Sequence, residues 1–390
     1  MERGRRLGPV LLTVLLDLLG FGLVIPLLSY YSEQFGATPF QVTCLMASYS
    51  LAQFVFAPVW GGLSDRIGRR PVMLISIGGT ALGLAAFALA PSLLWLFVAR
   101  IATGMCAANI GTAQAYVADV TQPKDRAKGM GLIGAAFGVG FSFGPWVGGE
   151  LSAYGLAVPI WAAAGLSAVN FVWALFGLPE SRPLEARAKV PRVRDPRVIV
   201  SALGHPAVGA AIGLTFVATF AFAMLESSFS LVAEHQWHMD AVGVGRLFGV
   251  IGTIGIVIQG GLIGRLSRRF GERVLVGVGY AGTAAGMLTL GFAASSAAIW
   301  TGCVLIAIGN SLSTPSLQAL ISQGAGDHQG ALMGVNQSLG ALARTTAPPL
   351  GGAAFARIGS GAPMVVGAAL MAIALLISIP ATRRARPREA

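Results

Sequence analysis

Charge is the scarcest property of this sequence. Of its 390 residues, 11% are Asp, Glu, Lys or Arg, where a soluble domain carries roughly 25%. So few charges cannot cover the water-facing surface of an ordinary soluble enzyme. Disorder is excluded by the opposite shortage, because disordered segments combine many charges with few apolar residues, and 55% of this chain is hydrophobic. Cysteine is rare: Cys44, Cys106 and Cys303 each lie in an apolar run, which implies no disulfide framework. The 4 His residues form no cluster with Cys at metal-ligand spacing. No nucleophile–base pair and no phosphate-binding loop appears. The sequence therefore reads as no enzyme, with no cofactor and no metal.

What the chain has in place of charge is apolar length. A helix needs roughly 20 mostly apolar residues to cross the hydrocarbon core of a bilayer. Twelve such runs are present, at about 8–31, 40–63, 71–91, 93–117, 127–151, 156–178, 207–232, 241–264, 274–294, 297–322, 331–356 and 360–379. The first is too long for a signal peptide, contains Asp17 and ends without a small-residue cleavage site, so it reads as a retained helix. The fold class expected is an all-α polytopic membrane protein.

The basic residues give that count a direction. Arg3, Arg5 and Arg6 precede the first span, and Arg66, Arg69 and Arg70 follow the second. Lys124, Arg126 and Lys128 follow the fourth, and Arg182, Arg187, Lys189, Arg192, Arg194 and Arg197 follow the sixth. Arg265, Arg268, Arg269 and Arg273 follow the eighth, and Arg383, Arg384, Arg386 and Arg388 come after the last. With twelve spans, these 23 of 27 basic residues all fall on one side. That asymmetry predicts both termini in the cytoplasm. The net charge of +11 then reports topology and lipid contact rather than nucleic-acid binding.

One long polar break, 179–206, divides the chain. The expected organisation is a six-helix bundle over 1–178, a cytoplasmic linker over 179–206, a second bundle over 207–380 and a tail over 381–390. The two halves carry a trace of repetition. Gly61-Gly-Leu-Ser-Asp65-Arg66-Ile-Gly68-Arg69-Arg70 aligns with Gly260-Gly-Leu-Ile-Gly264-Arg265-Leu-Ser267-Arg268-Arg269, six of ten positions matching at a spacing of 199. Met130-Gly131 and Pro145 align with Met333-Gly334 and Pro348 at a spacing of 203. Parallel repeats of this kind place a binding site between the halves, near the bilayer midplane, with alternating access by rocking.

These residues resemble a known family. Gly61 to Pro71 is similar to the signature loop between helices 2 and 3 of the major facilitator superfamily. Asp17-Leu-Leu-Gly20-Phe-Gly22-Leu-Val-Ile-Pro26 resembles the first-helix motif of its twelve-helix drug/proton antiporters, and Arg100-Ile-Ala-Thr-Gly104 the fourth-helix motif. Gly140-Phe-Ser-Phe-Gly144-Pro145-Trp-Val-Gly148-Gly149 resembles the antiporter motif of helix 5. Ala118-Asp119-Val-Thr121 is most similar to the tetracycline-efflux branch. The tetracycline exporters typically carry further acids inside helices 3 and 9, whereas 72–90 and 274–294 hold no acidic residue here.

Each motif has a physical reading. Asp65 ends the second span and opposes the positive-inside trend, Gly68 permits a tight turn, and Arg69 and Arg70 can pair with carboxylates or lipid phosphates. The resemblance implies a cytoplasmic latch: Asp65 against the start of helix 11, and an Arg against Asp119. With Gly61 and Arg66, these residues form the gating motif. Asp17 lies about 13 Å into its span at 1.5 Å per residue, a depth at which a carboxylate is costly and a functional candidate by default. Arg100, inside the fourth span, is its expected partner. Glu226 is the second intramembrane acid, a proton relay or a contact for a cationic substrate. Arg344 could balance Glu226 or attract an anionic group. Gln53, Asn109, Gln259 and Asn310 are the polar residues expected to line a substrate cavity. Gly140, Gly144 and Gly148 share one helix face, where small residues allow close helix approach, and Pro145 favours a bend.

The function these readings predict is proton-coupled efflux of small amphipathic drug-like compounds, by a monomer in the bacterial inner membrane that draws on the proton gradient and contacts lipid. The alternatives are a transporter of a metabolite such as a sugar or organic anion and, more remotely, a non-transporting receptor on the same fold.

Overall fold

The computed structural model describes residues 2–107, 109–121, 126–181, 206–324 and 329–383. The side chain of Asn109, most of the segment 179–206, the loop bases Lys124, Arg126 and Lys128, Met333-Gly334 and the end of the tail lie outside the described residues or side chains.

Every described element is a helix, and twelve helical passes follow the twelve apolar runs. In chain order, α1 is Glu2–Val24, continued through a 3-10 turn at Ile25–Leu27 into Leu28–Glu33. α2 is Pro39–Ile67 and α3 is Arg69–Ala88. α4 is Leu93–Cys106, resumed as Asn109–Val120. α5 is Arg126–Ser152 and α6 is Val158–Gly177. α7 is Pro206–Trp237, and α8 is Ala241–Val257 with a π segment at Ile258–Leu262 and a last stretch at Ile263–Phe270. α9 is Glu272–Gly291, α10 Ser296–Gly324, α11 Gln329–Arg357 and α12 Ala362–Arg383. Among the described residues, 10 helices are long and apolar enough to cross a membrane. α11 and α12 stand where the eleventh and twelfth spans are expected.

Local chemistry sets the boundaries. Pro26 has no N–H to donate, and the 3-10 turn of α1 forms around it. Thr38 and Gln41 close a capping box at the start of α2: the Gln41 N–H donates to Thr38 Oγ1 at 3.4 Å, and the Thr38 N–H donates to Gln41 Oε1 at 2.9 Å. The turns α2–α3 and α8–α9 both rest on a glycine in the left-handed region, Gly68 at φ 108° and Gly271 at φ 78°. These glycines are 203 residues apart, the spacing of the Met-Gly and Pro matches. The 199-residue alignment of the basic loops is therefore corrected by four residues, about one helical turn.

The described residues gather into two compact units, Met1–Pro191 with Met239–Gly252, and Arg192–His238 with Thr253–Ala390. The first thus takes in the opening turns of α8, a boundary the hydropathy profile does not show. In the first unit α1 packs on α5 and α6, and α3 on α4 and α6; in the second α7 packs on α11 and α12, and α9 on α10 and α12. The same pairing occurs in both halves, as a repeat requires. One end of the first unit is filled by Val10, Val14, Met73, Ile77, Tyr116 and Val117, the other by Leu28, Leu45, Leu84, Phe87, Leu96 and Ile160. Leu82, Leu94 and Phe176 point outward, as apolar side chains facing hydrocarbon can.

Candidate functional site

At the α2–α3 turn, Arg69 is the hub. Its side chain is 8% exposed and meets two acids: Nη2 lies 2.7 Å from Asp65 Oδ1, and Nε donates to Asp119 Oδ2 at 3.1 Å. Nη1 donates to Ser64 Oγ at 2.6 Å. The planar fork of arginine serves both carboxylates in a way a lysine cannot. The expected pairing of a loop Arg with Asp119 is present, and the Arg is Arg69. Arg70 turns the other way, its Nη2 donating to Leu175 O at 2.5 Å. Gly61 and Arg66 are exposed.

Below this hub lies Glu180, which the sequence analysis did not single out. Its Oε1 accepts from the Arg69 N–H at 2.9 Å and its Oε2 from the Arg70 N–H at 3.3 Å. A carboxylate there satisfies two orphan donors of α3 and meets the positive end of its dipole. The Ser181 hydroxyl donates to Asp119 Oδ2 at 3.2 Å and the Tyr116 hydroxyl to Pro179 O at 2.9 Å. The residues just after α6 are thereby tied to α3 and α4.

Asp17 sits partly buried on α1. Arg100 is buried on α4, and its guanidinium carbon lies 4.7 Å from the centroid of the Tyr49 ring on α2. A cation over an aromatic face is a favourable arrangement. Tyr49 is thus a neighbour of Arg100 that the sequence analysis did not single out.

About two turns beyond Arg100, α4 breaks at Ala107, whose ψ of 61° is not helical. A break frees carbonyls that the helix would otherwise use, and inside a membrane they need partners. Three side chains from neighbouring helices provide them. Trp60 Nε1 donates to Met105 O at 2.5 Å, the Ser76 hydroxyl donates to Cys106 O, and Gln53 Nε2 donates to Ala107 O at 3.2 Å. Gln53, expected to line a cavity, thus has its amide nitrogen committed to the backbone of α4.

The glycines of α5 form a seam with α1. A Cβ placed on Gly144 would lie 2.7 Å from Gly22 Cα, one on Gly148 2.3 Å from Leu23 O, and one on Gly140 2.6 Å from Leu18 Cβ. Backbones meet at those distances only without side chains. Pro145 lies inside α5, and its carbonyl faces Gly245, the next face of the helix packing on the first turns of α8.

In the second unit, Glu226 is partly buried on α7 and Arg344 acts on it electrostatically from α11. The Arg344 guanidinium folds back over Gly340 and towards Thr219, which lies on the same face of α7 as Glu226. Gln259 is exposed on the π segment of α8, and π segments recur at functional sites. Asn310 Oδ1 accepts from the Thr314 hydroxyl at 3.0 Å. The structure therefore brings together Arg69 with Asp65 and Asp119, and sets Glu226 within electrostatic reach of Arg344; it places Gln53, Gln259 and Asn310 on separate helices. Tyr49, Trp60, Ser76 and Glu180 had no signal of their own, because each acts through a partner at least 30 residues away.

Two halves with the same helix pairing, a charged turn anchored by Arg69 and charges inside the spans describe a polytopic membrane transporter. The chain belongs to the Major Facilitator Superfamily, whose family profile matches residues 10–348 and 264–390. It is 35% identical over 395 residues to the tetracycline resistance protein, class C, of Escherichia coli, covering 98% of each chain. It is 27% identical over 357 residues to multidrug resistance protein 2 of Bacillus subtilis, covering 89% of this chain and 88% of that one. The crystal structure of the human organic anion transporter MFSD10 is similar with a TM-score of 0.74 and 26% identity, covering 97% of this chain and 100% of that one.

Proposed function

We propose that this transporter is a proton-coupled exporter of small amphipathic compounds, working by alternating access with both termini in the cytoplasm of a bacterial cell. The observation that carries this reading is Asp17, an acid held partly buried on α1, directly before Leu18, where the glycine seam with α5 begins. An acid that far into a span is retained where protonation is useful, and a seam of bare backbone lets α1 and α5 slide without side-chain collision. The resistance proteins among its relatives support efflux as the direction. Arg69 with Asp65 and Asp119 serves as the latch at the α2–α3 end, and Glu226 with Arg344 as a second charge pair able to meet substrate.

The test is drug accumulation and substrate-driven proton release in proteoliposomes. Asp17→Asn is expected to abolish proton-driven exchange while substrate still binds; gradient-driven efflux that survives the change sinks the proposal. A second reading, transport of an organic anion, is favoured by Arg344, a cation exposed within α11, and by the likeness to MFSD10. An anionic substrate that competes with drug efflux, and loses that competition in Arg344→Gln, would select it.

A further inference from the structure

The α8–α9 turn repeats the scaffold of the α2–α3 turn and reverses its charges. At the 203-residue spacing fixed by Gly68 and Gly271, Ser64 corresponds to Ser267, Asp65 to Arg268 and Arg69 to Glu272. The serine contact is kept: Arg69 Nη1 donates to Ser64 Oγ at 2.6 Å, and Ser267 Oγ donates to Glu272 Oε1 at 2.9 Å. The sign of the residue that opens the next helix is not kept. Arg69 opens α3 as a cation at the positive end of the helix dipole, and Glu180 compensates it there. Glu272 opens α9 as an acid and meets that end by itself.

The reversal leaves basic charge over. At the first turn Asp65 and Asp119 both reach Arg69. At the second, Gly62, Asp65 and Arg66 give way to Arg265, Arg268 and Arg269, and Ser322 stands at the position of Asp119. All three arginines are exposed. At i, i+3 and i+4 they share one face of the last stretch of α8. Among the described residues no carboxylate forms an ion pair with any of them. Phe270, next in the chain, is 49% exposed, and the Arg269 guanidinium carbon lies 5.3 Å from its ring centroid.

Depth selects the partner. α8 runs over 30 residues from Ala241 to Phe270, about 45 Å at 1.5 Å per residue. The hydrocarbon core takes roughly 30 Å of that length, and the headgroup layers bring a bilayer to roughly 40–45 Å. Arg265 to Phe270 therefore reach headgroup level, where phosphate is the acceptor at hand. Guanidinium forks fit phosphate oxygens. The Phe270 ring adds an apolar surface that acyl chains can cover and a free phosphate cannot use.

We propose that Arg265, Arg268 and Arg269, with Phe270, form a docking surface for the headgroup of an anionic phospholipid. The lipid supplies at the α8–α9 turn the negative charge that Asp65 and Asp119 supply at the α2–α3 turn. This inference is independent of proton coupling and of the substrate.

The test is native mass spectrometry of the delipidated full chain, titrated with phosphatidylglycerol and separately with phosphatidylcholine. Phosphatidylglycerol should bind about tenfold more tightly or better, and each of Arg265→Gln, Arg268→Gln and Arg269→Gln should weaken it roughly fivefold. The tail variant Arg384→Gln/Arg386→Gln/Arg388→Gln, which removes the same charge as the triple α8 variant, should stay within about twofold of wild type. Equal binding of the two lipids by the wild type overturns the proposal, because other groups of the chain then occupy the arginines. A tail variant that loses as much as the triple α8 variant overturns it in favour of a diffuse basic face. Displacement of the lipid by excess inorganic phosphate overturns it in favour of a free-anion site. A photoreactive phosphatidylglycerol gives a readout that needs no variant to fold. In nanodiscs it should crosslink to the wild-type peptide that carries Arg265–Phe270, and crosslinks that avoid this peptide overturn the proposal.

Discussion

At the scale of single residues, the acids matter because there are so few of them. Asp65 and Asp119 both reach Arg69, so Arg69→Lys replaces a fork by a point charge and should weaken both pairings. We expect transport to fall sharply in Arg69→Lys and in Asp65→Asn with membrane abundance unchanged, as read by immunoblot beside drug accumulation. Glu180 acts on stability. Removing its carboxylate in Glu180→Ala leaves two α3 donors unpaired and should cost about 1–3 kcal/mol, seen as a lower melting temperature in detergent. Asp17, Asp65 and Asp119 were legible in the sequence because a charge in an apolar setting stands out. Glu180 was not, because its value depends on folding back 111 residues to Arg69.

At the scale of the helix, two departures from regularity were hidden by hydropathy. α4 reads as one apolar run, yet it breaks at Ala107 and is supported there by Trp60, Ser76 and Gln53. An apolar run reports burial and not backbone continuity, so the sequence could not show the break. Gln53→Leu should leave the Ala107 carbonyl unpaired and cost about 1–3 kcal/mol, measured by thermal melting, whereas Gln53→Glu should melt no later than the leucine variant because it removes the same donor. The α1–α5 seam, in contrast, was legible from glycines four residues apart. Its distances make it sensitive: Gly144→Leu would drive a side chain into the Gly22 backbone, where overpacking alone costs roughly 1–3 kcal/mol. Transport should be lost, with cysteine crosslinks forming in one access state only; crosslinks in both states would show the seam to be plain packing.

At the scale of the whole molecule, the helix number, the repeat and the family were written in the spacing of apolar runs and basic loops. Twelve helices follow twelve runs, and the helix pairing of the first half recurs in the second. The register of that repeat was less legible. Conserving a basic sequence drew the alignment to 199 residues, while the backbone turn that only glycine adopts easily sits at 203.

The first compact unit is also not one stretch of chain: it takes in Met239–Gly252. Gly245 packs on Gly149, Arg246 pairs with Glu150 at 2.8 Å, and the Tyr30 hydroxyl donates to Met239 O at 2.8 Å. A crossover in the central segment, joining the front of this transporter to the back of a relative, would therefore import a foreign α8 opening into the first unit. Such hybrids should assemble well only when the donor brings a glycine at position 245 and a partner for Glu150. The natural joint for shuffling these proteins lies inside a helix rather than in the linker.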